Sequence, residues 1–514
     1  MSDLPVRPSA VAPKLVTHLL DRLRGDGLSP VHLDGDGSVT VTGITHDSRS
    51  VVAGDLYVAR AGAHTHGIAH VEQAVAAGAV AVLTDPASVA AARDAGITAI
   101  VVVDDPRLAM GSAAAWTYGD PATAMTIFGV TGTNGKTTTA YLIDAGLRAA
   151  GRTTGLVGTI ETRVGAEVLP SARTTPEATD LHALLAVMKE RGADAVAMEV
   201  SSHALALGRV DGVVFDVAAF TNLSQDHLDF HCDMDDYFNA KAQLFTPAHS
   251  QRGVVCVEDR WGERLVLEAT VPITTTGTAS NVDWARIEEV PATAASRGSV
   301  RLARSDGQDV VVGCSLLGRV NLANAALAYL VLVAAGIDDQ AALAGVAGLA
   351  DVPGRLERID AGQPFVALVD YAHTPDAVAA VLADARAIAD PGARVLVVLG
   401  CGGDRDRQKR PLMGQAAALH ADFSVFTNDN PRSEDPAEIL AAMQRDVPPG
   451  SRVLVEPDRT RAIEAAVGMA RAGDVLVVAG KGHELGQETA GVVVPFDDRV
   501  VLRDAIATRM GTAP

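Results

Sequence analysis

Cysteine, long apolar runs and positive charge are all in short supply in this sequence. Its four cysteines, Cys232, Cys256, Cys314 and Cys401, are scattered without paired metal spacing. That argues against a disulfide framework or a thiolate metal site, and free thiols in a reducing compartment are expected. No apolar run approaches the ~18 residues of a membrane helix, so no membrane insertion is expected. Lys and Arg number 43 against 63 Asp and Glu, a net charge of −20. Such a surface disfavours nucleic acid, and an anionic substrate would have to be met by locally placed cations. The opening Met1-Ser-Asp-Leu-Pro-Val-Arg7 lacks the basic-then-apolar plan of a signal peptide, which makes a cytoplasmic protein the expectation. Neither an internal repeat nor a low-complexity tail is visible.

What is present centres on residues 125–140, Met-Thr-Ile-Phe-Gly-Val-Thr-Gly-Thr-Asn-Gly-Lys-Thr-Thr-Thr-Ala. A β-prone run at 126–130 leads into a glycine-punctuated loop, and a helical pattern follows from Thr137. This is the strand–loop–helix context of a phosphate-binding loop. Gly132 and Gly135 let backbone amides approach an anion, and the helix N-terminus adds partial positive charge. Lys136 can reach the outer phosphates and the Thr137 hydroxyl can bind Mg²⁺. The usual spacing places a glycine at 130, where this chain has Val130. An ordinary glycine-rich turn is the alternative.

At 514 residues the chain is long enough for roughly three domains of about 150 residues. Residues 1–107 read as a small α/β unit, with strands at 39–44, 55–59, 79–83 and 97–103 and a helix at 67–77. Asp104-Asp-Pro-Arg107 reads as a linker. The clusters Thr45-His-Asp-Ser-Arg49 and Ala63-His-Thr-His66 fit turn chemistry. Residues 108–352 form a central unit whose strands end in Glu199 and Ser201-Ser-His203, and in Thr221-Asn-Leu-Ser-Gln-Asp-His-Leu-Asp229. Alternating strands and helices imply a parallel sheet, whose ligands gather at strand carboxyl ends, so both clusters should face the phosphate loop. The segment 250–315 looks less regular and carries no assigned chemistry. Asp351-Val-Pro-Gly-Arg355 reads as a hinge, and 353–514 as a third, doubly wound unit with polar residues after its strands.

Several residues carry chemistry on type and position alone. Glu199, with the Thr137 hydroxyl and nucleotide oxygens, would suit Mg²⁺. Lys241 shares a helical face with Phe238 and Phe245, which would desolvate the amine and favour its reactive neutral form. Taken alone, it also fits a snorkelling surface lysine. Asn321 and Asn324 either hydrogen-bond an adenine edge or cap a helix. In the third unit Arg405, Asn430, Arg432 and Glu484 suit an amino acid, arginines taking carboxylates and the glutamate an ammonium group.

Together these motifs resemble the Mur ligase family over nearly the whole chain. The resemblance rests on Thr131-Gly-Thr-Asn-Gly-Lys-Thr137, Met198-Glu-Val-Ser-Ser-His203, Asp226-His-Leu-Asp229, Tyr237 to Lys241, Asp370-Tyr-Ala-His-Thr-Pro375, Gly402-Gly-Asp-Arg405, Asp429-Asn-Pro-Arg432 and Gly480-Lys-Gly-His-Glu484. This family uses the shorter phosphate loop. The resemblance implies a three-domain α/β ligase: a small N-terminal domain, a central P-loop ATPase-like domain and a C-terminal Rossmann-like domain. ATP would lie against Gly132, Thr133, Asn134, Gly135, Lys136, Thr137 and Thr138, with Asn324, Arg355 and Asp370 as further contacts. UDP-N-acetylmuramoyl-L-alanyl-D-glutamate would be held by Ser48, Ala63, His64, Thr65, Thr174, Thr175, Ser201 and Arg209. Lys241 matches a lysine carbamylated by CO₂, and with Thr137, Glu199 and His227 it would hold Mg²⁺. Lys136, Lys241, Glu199 and His227 are then the catalytic set. The added amino acid would be meso-diaminopimelate, at Arg405, Asp429, Asn430, Pro431, Arg432, Gly480 and Glu484, with Arg432 on the carboxylate that L-lysine lacks. A monomer acting on small molecules is expected. Cys256 departs from the asparagine expected there, and no role is assigned to its strand. The competing readings are another ligase with the same core, such as a folylpolyglutamate synthase or the next enzyme of the family, and a P-loop kinase or nucleotide-gated binding module.

Overall fold

Short apolar runs ending in polar residues recur along the chain and become strands buried on both faces, as helix-covered parallel sheets require. Ala99–Val103, Ala195–Glu199 and Val475–Ala479 are buried at every position. The computed structural model describes residues 6–62, 65–169, 173–293 and 296–511. Its strands build three main sheets, so the expected α/β class with three units is what is observed.

The first sheet runs Val31–Gly35, Ala99–Val103, Ala81–Thr84, Asp55–Val58, Gly43–Thr45, antiparallel only at its first strand. The 39–44 stretch is divided: Thr40–Val41 pairs with Lys14–Leu15 while Gly43–Thr45 joins the sheet. The segment read as a linker contains a helix start. Asp105 accepts from the Arg107 amide at 2.8 Å and caps the helix Pro106–Thr117, with proline in its favoured first-turn place. That helix buries Ala109, Met110 and Trp116 against Leu19 and Leu23 of the helix Val16–Gly25.

In the central sheet, Thr154–Val157, Ala195–Glu199, Thr126–Thr131, Val217–Phe220 and Gly253–Cys256 run parallel in that order. The phosphate-loop strand is therefore flanked on both sides at a point where the chain reverses its winding, the usual ligand position. The 250–315 segment extends this sheet through Ile273–Gly277, Trp284–Val290, Gly298–Arg304 and Asp309–Cys314, the last three joined antiparallel. Gly298–Arg304 buries Gly298, Val300 and Leu302 but not the residues between. This one-sided burial gives a polar alternation that reads as irregular sequence. The helices Lys136–Ala149 and Arg319–Ala334 pack through Leu142, Leu147, Leu322 and Leu332 in one cluster.

The third sheet runs Glu357–Arg358, Val366–Asp370, Val475–Ala479, Val395–Cys401, Phe423–Asn428, Val453–Val455, parallel after its first strand. Its strand ends are tied by Arg459. This fully buried guanidinium donates to both Asp498 oxygens at 2.7 Å and to the carbonyls of Ala479 and Asn428 at 3.0 and 3.3 Å. Arg459→Met strands the Asp498 carboxylate, a loss on the order of 3–5 kcal/mol. Thermal unfolding should show a clearly lowered midpoint, partly restored by adding Asp498→Leu; a wild-type midpoint in the single variant would contradict this assignment.

Candidate active site

The loop between Thr131 and Lys136 closes on glycines that no other residue could replace. Gly132 and Gly135 have φ of 143° and 87°. A Cβ at Gly132 would lie 1.9 Å from Thr221 Oγ1, and one at Gly135 2.6 Å from Asn324 Oδ1. Val130, where a longer loop has its first glycine, is a fully buried strand residue. Lys136 Nζ donates to the carbonyls of Gly132 and Thr133, each at 2.9 Å, so the lysine is folded onto the loop it serves. Burial holds its pKa below the usual lysine value, against the pull of Glu199 and Asp226.

A cavity of about 370 Å³ opens from this loop, bounded by Lys136, Thr137, Glu199, His227, Arg355 and the Thr174–Thr175 segment among others. Glu199, at the end of its strand, accepts from Thr137 Oγ1 at 2.9 Å, from the Thr159 amide at 2.7 Å and from Thr159 Oγ1 at 3.1 Å. Thr175 Oγ1 donates to the Glu199 carbonyl at 2.9 Å and accepts from the Ser201 amide at 3.2 Å, and Arg209 reaches the Thr175 carbonyl at 3.4 Å. Thr174, Thr175, Ser201 and Arg209 thus share this cavity with the phosphate loop.

Lys241 is 1% exposed, which rules out the snorkelling reading. The helix Met234–Ala242 delivers its Nζ to the Gly132 carbonyl at 2.9 Å and to 4.6 Å from the Tyr237 ring centre. Burial first, and then Lys136, set its pKa well below the usual value, which favours the neutral amine. His227 adopts a positive φ of 56° beside this group. Burial brings its imidazole down to about 3 although Asp226 opposes the shift, so it is neutral at physiological pH. Among the described residues no three His, Cys, Asp or Glu are grouped to hold a metal on their own. The hard oxygen donors at the loop are Thr137 and Glu199.

A second cavity, of about 320 Å³, opens on the other side of the loop, between Asn134, Gly135, Asn321, Asn324, Asp370 and His373 among others. Here the helix-capping alternative for the asparagines fails, because Gly318 is the N-cap of their helix. Asn321 Nδ2 instead donates to the Leu317 carbonyl at 2.7 Å, and its Oδ1 accepts from Asn324 Nδ2 at 3.0 Å. Both Asp370 oxygens are taken by backbone amides, of Leu356 and Ala372, at 2.7 Å. Cys256, Glu258 and Asp259 also line this cavity, so the strand that received no role forms one of its walls. Burial pushes the Cys256 thiol up to about 11, despite Arg286 at 3.7 Å, and keeps it protonated.

A third cavity, about 240 Å³, lies at the carboxyl edge of the third sheet and contains Arg405, Asp429, Asn430, Arg432, Gly480 and Glu484. Asn430 is a hub: its Nδ2 donates to Glu484 Oε2 at 2.8 Å and its Oδ1 accepts from Lys481 Nζ at 3.0 Å. The fully buried Lys481, which received no role from sequence, reaches Glu484 at 3.1 Å and Asp429 at 3.6 Å. Arg432, at φ 53°, donates to the Gly403 carbonyl at 2.6 Å, and the Pro431 carbonyl lies where a Cβ on Gly403 would stand. Sequence reading also passed over Asp226, Tyr371, His373 and Lys409. Asp226, Tyr371 and His373 line both this cavity and the one at the loop. Asp226 faces His373 at 3.7 Å and Lys409 at 3.8 Å across the junction of the sheets. Burial pushes the Asp226 carboxyl up, but His373, His227 and Lys409 outweigh it and hold the group far below the usual carboxylate range. Their signal was position, each lying within a polar cluster that follows a strand.

Ser48 is buried and donates to Gln73 Oε1 at 3.0 Å, and the Thr65 carbonyl accepts from the Gly62 amide at 3.0 Å. Neither belongs to the three cavities. Ala63 and His64 lie outside the described residues.

A phosphate cradle on one sheet and a charged cleft on another, opening into one space, define a class: enzymes that activate a substrate with ATP and join it to a second substrate. Family models agree. The Mur ligase family catalytic domain matches residues 40–118, the Mur ligase middle domain 130–332 and the Mur ligase glutamate ligase domain 354–482. The chain is 53% identical to the "UDP-N-acetylmuramoyl-L-alanyl-D-glutamate--2,6-diaminopimelate ligase" of Streptomyces coelicolor, covering 99% of each chain. It is 45% identical to the protein of the same name from Corynebacterium glutamicum, over 96% of this chain and 97% of that one. A solved structure with that title superposes with a TM-score of 0.66 at 31% identity, over 97% of this chain and 100% of the other. The chain belongs to the Mur ligase family, the ATP-dependent, ADP-forming amide ligases. No described helix is long and apolar enough to cross a membrane.

The contacts of Asp226 with His373 and Lys409 tie the central unit to the third. Asp226→Asn should loosen that closure, and small-angle scattering should show a larger radius of gyration for the variant. An unchanged radius would exclude Asp226 as the clasp.

Proposed function

We propose that this chain joins meso-2,6-diaminopimelate to the D-glutamate of UDP-N-acetylmuramoyl-L-alanyl-D-glutamate, with ATP driving amide formation. The observation that carries the reading is the continuity of the loop cavity with the Arg405–Arg432 cleft through Asp226, Tyr371 and His373. The names of the full-length relatives agree with it.

The D-glutamate side-chain carboxylate, positioned by Thr174, Thr175, Ser201 and Arg209, attacks the γ-phosphorus of ATP, and ADP leaves. Lys136 swings from its loop carbonyls onto the phosphates and neutralises charge as it develops. The diaminopimelate amine then attacks the acyl phosphate carbonyl, loses a proton, and inorganic phosphate departs. Asn324, Arg355 and Asp370, which border the second cavity, would contact the nucleotide there. Arg432 and Arg405 suit the carboxylates of diaminopimelate, while Asn430 and Lys481 hold Glu484 in place for an ammonium group. Closure of the third sheet over the second excludes water from the acyl phosphate.

Thr137, Glu199 and neutral His227 fit Mg²⁺, which would offset the charge of ATP and of the transferring group. Lys241 fits this set only as its carbamate: a desolvated neutral amine is the form that adds CO₂, and the addition would release a proton and leave an anion beside the loop. Ser48, Ala63, His64 and Thr65 would receive the UDP end. A first domain limit moved from 107/108 to the end of the helix Pro106–Thr117, which packs into the first unit, a second limit at 352/353, a monomer and a cytoplasmic location complete the proposal. The four free thiols accord with that location.

Phosphate release from ATP with the UDP-muramoyl dipeptide tests the whole. Release should need diaminopimelate, fall sharply with L-lysine, and drop at least about 1,000-fold in Lys136→Ala. Full activity in that variant, or equal efficiency with lysine, would refute the mechanism or the specificity respectively.

A further inference from the structure

Where the first sheet meets the second, three guanidinium groups reach one carboxylate and a fourth, that of Arg107, lies near two of them. Arg60 follows the strand Asp55–Val58, Arg107 lies in the first turn of the helix Pro106–Thr117, Arg173 precedes Thr174, and Arg209 follows the helix Ser202–Ala206. Glu177, 4% exposed, sits among them. Arg173 and Arg209 reach its Oε1 at 2.7 and 2.9 Å, and Arg60 reaches Oε2 at 3.6 Å. Arg60 Nε, Arg107 Nη1 and Arg209 Nε are buried without a hydrogen-bond partner. Burial lowers the pKa of Arg60 and Arg209, and neighbouring guanidinium groups, Arg107 included, lower them further; of the strongest influences on either, Glu177 is the one acid.

Buried, unpaired donors on cations are costly, and Arg60, Arg107 and Arg209 each hold one here. The arrangement has the character of a site completed by an arriving anion. It also borders the loop cavity, which Arg173 and Arg209 line. Arginine forks suit the delocalised charge of phosphate or carboxylate.

We infer that Arg60 and Arg107, with Arg173 and Arg209, form a further anion-binding position for the nucleotide-linked substrate, and that Glu177 holds the arginines in register until that anion arrives. This inference rests on the function proposed above. The anion is an oxyanion of that substrate which takes no part in the reaction: its diphosphate or the spare carboxylate of its dipeptide.

The test is binding of the UDP-muramoyl dipeptide by calorimetry without ATP or diaminopimelate, alongside steady-state kinetics. Arg60→Gln and Arg107→Gln should each weaken binding about 10-fold and raise KM for that substrate similarly, with KM for ATP within about twofold. Arg60→Lys should recover part of the loss, a rescue that a packing role would not produce. Repeating the comparison with the nucleotide-free muramoyl dipeptide separates the sources. A penalty that vanishes there assigns the diphosphate; one that persists assigns the carboxylate. Wild-type affinity in both Gln variants would overturn the inference while leaving the ligase reading intact. A wild-type chain that binds the dipeptide but ligates nothing would overturn the ligase reading instead.

Discussion

Arg355 bridges the central and third sheets. Its Nη2 donates to Thr137 Oγ1 at 3.1 Å, joining the residue after the hinge to the first turn of the phosphate-loop helix. Its guanidinium lies 4.5 Å from the Tyr371 ring centre, which fixes its direction. Gly354 makes that approach possible: at φ 65° it passes so close to the 482–483 backbone that a Cβ would lie 2.3 Å from the His483 amide nitrogen. Arg355 borders both the loop cavity and the asparagine-lined one. With that contact in place, strand ends that evolved on separate sheets can act on one substrate.

A molecule that is negative overall gathers cationic side chains at its site. The chain carries −20 overall, yet Lys136, Lys241, Arg355 and Lys409 converge on Glu199 and Asp226. Burial works differently on each. It lowers the two loop-facing lysines, while Asp226 stays ionised because the hydrogen bond from His373, with His227 and Lys409 nearby, outweighs desolvation. A polyanionic nucleotide entering such a site meets donors already gathered at the loop, of which Lys136 has to turn off its carbonyls.

Much of this was legible from residue order. Gly-Lys-Thr after an apolar strand located the phosphate loop, and polar clusters after parallel strands located the cleft of Arg405, Asn430, Arg432 and Glu484, since parallel sheets gather such residues at one edge. Other features were not legible. The strands at 273–314 bury one face only, so their alternation looked irregular. Lys241 could not be told from a surface lysine until its helix was seen packed against the loop. Cys256 carried no signal because its meaning lies in the cavity it borders. Arg60, Arg107, Arg173 and Arg209 are far apart in sequence, and only the meeting of two sheets brings them together.

The central claim is that a substrate carboxylate, rather than water, takes the phosphoryl group held by the loop. Isotope transfer tests it directly. With ¹⁸O in the D-glutamate side-chain carboxylate, single-turnover ligation should deliver one ¹⁸O atom into the released inorganic phosphate, seen by mass spectrometry or by the phosphorus-31 shift. Phosphate free of ¹⁸O, with amide product still formed, would contradict an acyl-phosphate route.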